Sequence, residues 1–98
     1  MLGLQIMDIS TTSKGRVILS FNQDLPFGDF DEVKIADGFP SEFEAHPLRE
    51  NLYNIFHTEG IVSFKLTTKS FEYTKEPNRS GMIVFRVMEE FRKSLNQK

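Results

Sequence analysis

Residues 61–75, IVSFKLTTKSFEYTK, contain two short alternating segments on either side of a polar turn. Alternation with a period of two is typical of strands that bury one face. The turn is Thr67-Thr68-Lys69, whose small polar residues favour a tight reversal of the chain. The stretch therefore predicts an antiparallel hairpin with one apolar face. The side chains assigned to that face are Val62, Phe64, Leu66, Phe71 and Tyr73.

A helix is predicted on each side of this hairpin. The first begins at Pro47, since proline suits the first helical position, and Gly60 is placed to end it. The second can be capped by Ser80 and can pair Glu89 with Lys93 one turn later. Both segments repeat apolar residues at the spacing of a core-facing helix. The two stripes are Leu48, Leu52, Ile55 and Phe56 in the first and Val84, Val87, Met88, Phe91 and Leu95 in the second.

The first part of the chain predicts another hairpin and a less regular connection. Residues 4–9 and 16–22 are rich in strand-forming residues, and the glycine-ending turn 11–15 separates them. Residues 23–45 contain Pro and Gly breaks, with a short strand indicated at 33–35. Ser41 and Glu44 have capping-box spacing, which indicates a turn of helix before the proline.

The predicted element order is therefore ββ(β)αββα, in a single domain spanning residues 1–98. Consecutive strands that pair as hairpins, with helices packed on one face of the resulting antiparallel sheet, indicate the α+β class. We expect an antiparallel sheet of about four strands with two helices packed on one face. A chain of this length can build one hydrophobic core.

The composition indicates a cytoplasmic globular protein. Hydrophobic residues make up 39% and charged residues 27%, which is typical of a folded domain rather than a disordered one. No cysteine is present, so disulfides and thiolate chemistry within this chain are excluded. The first ten residues lack a basic segment followed by an apolar run, so no signal peptide is expected, and no segment is apolar enough to span a bilayer.

Charge is unevenly distributed between the two halves of the chain. Residues 1–50 carry nine acidic and four basic side chains, whereas residues 51–98 carry five acidic and eight basic ones. The basic half also contains aromatic residues in the 61–75 hairpin, and basic sheets with stacking aromatics bind RNA in several modules. Alternation puts the aromatics and most lysines on opposite faces of the hairpin, which is typical of a hairpin packed against a core. A nucleic-acid-binding regulator is kept as the alternative function.

The two histidines do not form a metal site. His46 and His57 are eleven residues apart, so on one helix they would be separated by about 16 Å. One metal ion cannot bridge that distance, because its donors lie about 2 Å from it. No nucleophile motif surrounds any serine or threonine. We expect no catalytic residues, no metal and no cofactor, and hence no enzyme.

Four phenylalanines lie in the acidic segment 24–44, which contains seven acidic residues and one basic residue. Two interpretations stay open for them. The rings can attach the segment to the core, or one or two can be exposed as anchors for a protein partner. These candidate interaction residues are Phe27, Phe30, Phe39 and Phe43.

The second half of the chain resembles the N-terminal domain family of Nfu/NifU-type iron–sulfur scaffold proteins. The similarity covers roughly residues 45–95 and includes a proline–leucine helix start, a glutamate–glycine turn and a closing aromatic. His46 stands where the family usually has serine, and the tryptophan often found before the last helix is absent. The matching residues are Pro47-Leu48, Leu52-Tyr53, Ile55, Glu59-Gly60-Ile61, Ser63, Tyr73-Thr74-Lys75 and Phe91.

This resemblance implies a small, non-enzymatic protein-interaction domain that is accessory to iron–sulfur cluster assembly. In the family, the cluster-binding Cys-x-x-Cys belongs to a separate C-terminal domain. This chain has no cysteine, so the resemblance implies that it does not ligate a cluster itself. The expected partners are proteins of the iron–sulfur assembly machinery.

Overall fold

Two antiparallel hairpins lie side by side in the computed structural model, which describes residues 3–77 and 82–96. The strands of these residues are β1 (Ile6–Thr11), β2 (Arg16–Phe21), β3 (Val33–Lys34), β4 (Ile61–Leu66) and β5 (Ser70–Lys75). They form one sheet in the order β1-β2-β5-β4-β3. Every neighbouring pair is antiparallel. The short β3 adds one strand to the four expected.

The helices of the described residues are α1 (Ser41–Glu44), α2 (Arg49–Phe56) and α3 (Ile83–Leu95), with a 3₁₀ turn at Ile35–Asp37. They pack on one face of the sheet. The ring of Phe91 on α3 lies 5.5 Å from that of Phe71 on β5, and Phe43 on α1 packs on Phe64 of β4. The predicted α+β class, with an antiparallel sheet and two substantial helices, is confirmed.

The second hairpin buries its alternating apolar face and exposes the polar one. In the second hairpin, Phe64, Leu66, Phe71 and Tyr73 are buried as predicted, whereas Lys65 is exposed. Leu19 and Phe21 continue the buried face onto β2. Since the helices cover only this face, the opposite face of the sheet is open and polar.

The first hairpin turns at a glycine with a left-handed backbone. Gly15 has φ of 80° and donates its N–H to the Thr12 carbonyl at 2.9 Å. An L-residue with a Cβ rarely adopts that φ, so glycine suits the position. The Thr12 N–H in turn donates to the Arg16 carbonyl at 2.8 Å, which closes the loop.

Val62 was wrongly assigned to the buried face. The register of β4 against β5 shifts between Ile61 and Ser63, which is a β-bulge. Because a bulge inserts one extra residue, Ile61 is buried and Val62 is 46% exposed.

The helix boundaries also differ from the sequence prediction. Ser41 begins α1 but does not cap it with its side chain, and the N-cap position is Pro40. α2 begins at Arg49, two residues after Pro47. It ends at Phe56, so Gly60 lies in the following turn with φ of 97°. The predicted cap Ser80 lies outside the described residues.

Within residues 3–77 and 82–96, no helix is both long and apolar enough to cross a membrane.

Candidate functional site

The four phenylalanines of the acidic segment contribute mainly to the core. Phe27 and Phe43 are 3% and 0% exposed, so in this fold neither can contact a partner. Phe30 and Phe39 are half-buried at the margin of the core. Each packs on Phe43, at centroid distances of 4.8 and 5.8 Å. The interpretation as partner anchors is therefore corrected for Phe27 and Phe43 and stays a prediction for Phe30 and Phe39.

His46 joins the acidic segment to the start of α2. Its Nδ1 accepts a hydrogen bond from the Leu48 N–H at 2.9 Å. Its Nε2 lies 2.9 Å from the Phe27 carbonyl oxygen, which can only accept. This pair of contacts requires the neutral ring with its proton on Nε2. His46 is half-buried and serves as a structural connection.

A cluster of aromatic and cationic side chains, of which one is half-buried and the others are exposed, lies on the outer face of α2. We call Phe39, Arg49, Tyr53 and His57 the aromatic surface cluster. The Arg49 guanidinium carbon lies 5.7 Å from the Phe39 ring centre and 5.6 Å from that of Tyr53. The rings of Tyr53 and His57 are 4.3 Å apart. Tyr53 is 42% exposed, and Arg49 and His57 are exposed as well.

The spacing along α2 explains why these side chains meet. Arg49, Tyr53 and His57 are four residues apart, so they lie one above the other on one face of the helix. The Phe39 ring reaches them from the preceding loop, 5.5 Å from Tyr53 and 5.4 Å from the Phe56 ring. Arg49 is held by Glu44 of α1, whose Oε1 accepts from Nε at 3.0 Å. The aromatic surface cluster is thus fixed at several points.

A polar cleft of about 600 Å³ continues from the cluster, between the end of α2 and the start of α3. His57 belongs to both, so the two features form one surface. The cleft carries side chains of both charges, and the charged ones are Glu59, Arg86, Glu89 and Glu90.

Glu90 places a carboxylate in the wall of this cleft, although the residue is only 8% exposed. The side-chain amides of Asn51 and Asn54 both donate to its Oε1 at 3.2 Å. Lys93 stands 3.7 Å from its Oε2, so the predicted pairing of Lys93 with Glu89 is replaced by one with Glu90. Two amides and one ammonium group compensate the buried charge and connect α2 to α3.

Two acidic residues of the first half contact the turn of the second hairpin. Lys69 stands 3.4 Å from Asp24, and Asp29 accepts a hydrogen bond from the Thr68 N–H at 2.7 Å. On the open face of the sheet, the Arg16 guanidinium holds Glu32 through two hydrogen bonds, of 2.7 and 2.9 Å. It also donates to Glu72 at 3.1 Å.

The pKa of Glu32 is lowered by these contacts. Burial alone raises it, but hydrogen bonds from Arg16 and Ser63 and the positive charges of Arg16 and Lys65 outweigh the burial. The same partnership raises the pKa of Arg16, the largest cause being the hydrogen bond to Glu32. This ion pair therefore favours the charged form of both groups.

Residues other than the four phenylalanines form most of the candidate surface. Sequence reasoning placed Tyr53 and His57 on a helix but did not consider the outer face of that helix as a site. Their i, i+4 spacing with Arg49 was the signal that could have found them. No spacing rule indicates that Phe39, ten residues before Arg49, joins them.

Among the described residues, no group of three His, Cys, Asp or Glu side chains could hold a metal ion.

No protein-family model, curated protein or solved structure matched this chain.

Proposed function

We propose that this chain is a non-enzymatic protein-interaction module and that the aromatic surface cluster is its contact surface. The supporting observation is the ordered group in which the half-buried Phe39 packs with the exposed Arg49, Tyr53 and His57. Aromatic and arginine side chains dominate the energetics of protein interfaces, because they bury a large area at little entropic cost. A cluster that is already ordered loses less entropy on binding than mobile side chains do.

The surroundings indicate the chemistry of the partner. Acidic side chains are exposed around the cluster and along the cleft, and they outnumber Arg49 and Arg86. We expect a partner surface with an apolar or aromatic centre and a basic rim. The acidic residues concerned are Glu44, Glu50, Glu59 and Glu89.

The proposed link to iron–sulfur cluster assembly rests on the sequence resemblance of residues 45–95. A cytoplasmic location, for which the absence of cysteine is the support, is part of the same proposal. Under this proposal the chain docks onto assembly proteins and holds no cluster. The alternative of nucleic-acid binding is less favoured, because Lys69 of the second hairpin stands 3.4 Å from Asp24 and Lys65 lies close to the Glu32 carboxylate.

The test is an NMR titration of the isotope-labelled chain with purified iron–sulfur assembly proteins. We expect shifts at the amides of α2, with a dissociation constant that the substitution Tyr53→Ala raises by about tenfold or more. Phe85→Ala is the matched control, since Phe85 is an aromatic residue on α3 with 62% exposure. It should bind like the unmodified chain.

Two outcomes would overturn different parts of the proposal. Absence of shifts at near-millimolar concentration with every assembly protein would remove the iron–sulfur link. Binding that survives Tyr53→Ala unchanged would show that the aromatic surface cluster is not the contact surface.

A further inference from the structure

The β1 edge of the sheet is open. β1 pairs with β2 on one side, and no strand of the described residues pairs with its other side. Edge strands are usually short or carry lysine or proline, since an open edge can pair with another chain. At the opposite edge, β3 has only two residues. β1 has six, with Asp8 as its one charged residue and a β-bulge between Ile6 and Asp8, so its regular part is Asp8 to Thr11.

Apolar side chains are exposed along this edge. Met7 and Ile9 are 66% and 57% exposed. Ile9 stands opposite Leu19, a fully buried residue, so its side chain projects from the face that bears the helices. Five of the six residues of β1 are nonetheless exposed, because the helix layer does not extend over this strand. A strand added here would gain backbone hydrogen bonds and bury Ile9.

We propose that the occupant is a second copy of this chain, whose β1 pairs antiparallel with the first about a twofold axis at Ile9. In this register Ile9 stands opposite Ile9, and Asp8 stands opposite Ser10. A shift of the axis to Asp8 would place two carboxylates opposite each other, which is unfavourable. The single charge on β1 is thus accommodated in the Ile9-centred pairing, and the edge is complementary to itself.

The geometry of this dimer is compatible with the helix layer. A twofold axis perpendicular to the sheet leaves the helices of both copies on the same face of one ten-stranded sheet. The aromatic surface cluster lies towards the other edge, because α1, to which Arg49 is tied, packs over β4 through Phe43 and Phe64. Dimerisation therefore leaves α2 accessible in both copies. The inference does not depend on the proposed function of that helix.

The first test is the mass of the chain in solution by light scattering and sedimentation, from low micromolar to near-millimolar concentration. We expect a monomer–dimer equilibrium. Ile9→Lys places two ammonium groups opposite each other and should give a monomer with an unchanged circular dichroism spectrum. Val62→Lys is the matched control, since Val62 is a β-branched strand residue with 46% exposure away from this edge. It should dimerise like the unmodified chain.

The second test addresses the register. Ser10→Lys brings a lysine opposite Asp8 of the other copy, twice per dimer, and should tighten the dimer by about threefold or more. Ser10→Asp should weaken it by a similar factor. Equal effects of the two substitutions would overturn the register. A monomer at every concentration would overturn the proposal, and a strand of a different protein would then be the remaining candidate to pair with this edge. A dimer that survives Ile9→Lys would also overturn the proposal.

Discussion

His46 uses both ring nitrogens to connect parts of the chain that are distant in sequence. Substitution by alanine leaves the Phe27 carbonyl and the Leu48 N–H without these partners. Because an unsatisfied, partly buried polar group costs free energy, we expect His46→Ala to lower the free energy of unfolding by about 1–3 kcal/mol. Urea denaturation measures this difference.

His57 provides the control for this prediction. It is exposed, and its ring contacts are to Tyr53 and Phe56. His57→Ala should therefore change the free energy of unfolding by less than about 0.5 kcal/mol. Equal losses for the two substitutions would contradict the connecting role assigned to His46.

Glu32 makes stability depend on pH. Its pKa is lower in the folded chain than in the unfolded one, since hydrogen bonds from Arg16 and Ser63 outweigh its burial. A group of this kind contributes stability above the unfolded-state pKa, and the contribution disappears as the pH falls through the folded-state pKa. Acidification should therefore destabilise the unmodified chain more than Glu32→Gln.

Urea denaturation at several pH values between about pH 7 and pH 3, which brackets the ordinary pKa of glutamate, measures this difference. The exposed Asp8, which makes no ion pair among the described contacts, gives the comparison as Asp8→Asn. Parallel stability curves for Glu32→Gln and the unmodified chain would show that the Arg16 pairing does not stabilise the fold.

At the scale of the element, the turn between α2 and β4 depends on a glycine. Gly60 is buried with φ of 97°, and its carbonyl accepts from the Glu76 N–H at 2.9 Å. A residue with a Cβ is strained at that φ, so Gly60→Ala should cost about 1–3 kcal/mol of stability. Gly3→Ala is the control, because nothing lies within 4 Å of the added Cβ. Thermal unfolding compares the two, and equal melting temperatures would refute the strain.

The sequence predicted the elements of this fold better than their ends. Hydrophobic periodicity located both hairpins and both substantial helices, since the spacing of buried side chains follows directly from strand and helix geometry. The bulge at Val62 escaped prediction, because the extra residue does not interrupt the apolar alternation. The turn of helix indicated by Ser41 and Glu44 is present, but Ser41 makes no side-chain capping bond, because the N-cap position is Pro40.

At the scale of the whole molecule, two lysines of the second hairpin lie near carboxylates of the first half. Lys69 pairs with Asp24, and Lys65 lies close enough to Glu32 to lower its pKa. We therefore expect no salt-dependent binding to single-stranded RNA or DNA, and no effect of a Lys65→Ala, Lys69→Ala double substitution. Fluorescence anisotropy at low and high salt checks this. Tight binding that weakens steeply with salt would instead support the nucleic-acid alternative.

The candidate surface was less predictable than the fold because it combines residues from separate segments. Periodicity identifies which side of α2 faces the core, and the opposite side is then exposed by default. Whether exposed side chains form an ordered cluster depends on what approaches them. Here a loop residue, Phe39, and an α1 carboxylate, Glu44, order the outer face of α2, and neither contact has a signature in local sequence.

The pairing of β2 with β5 has a consequence for how quickly the chain folds. Val17 stands opposite Tyr73 and Leu19 opposite Phe71, so this central seam joins residues more than fifty positions apart. Each hairpin closes a short loop at a low cost in entropy. Pairing β2 with β5 closes a loop of about fifty residues, so it costs more entropy and forms more slowly. Substitutions along the seam should therefore slow refolding, while those at the hairpin margins should chiefly hasten unfolding.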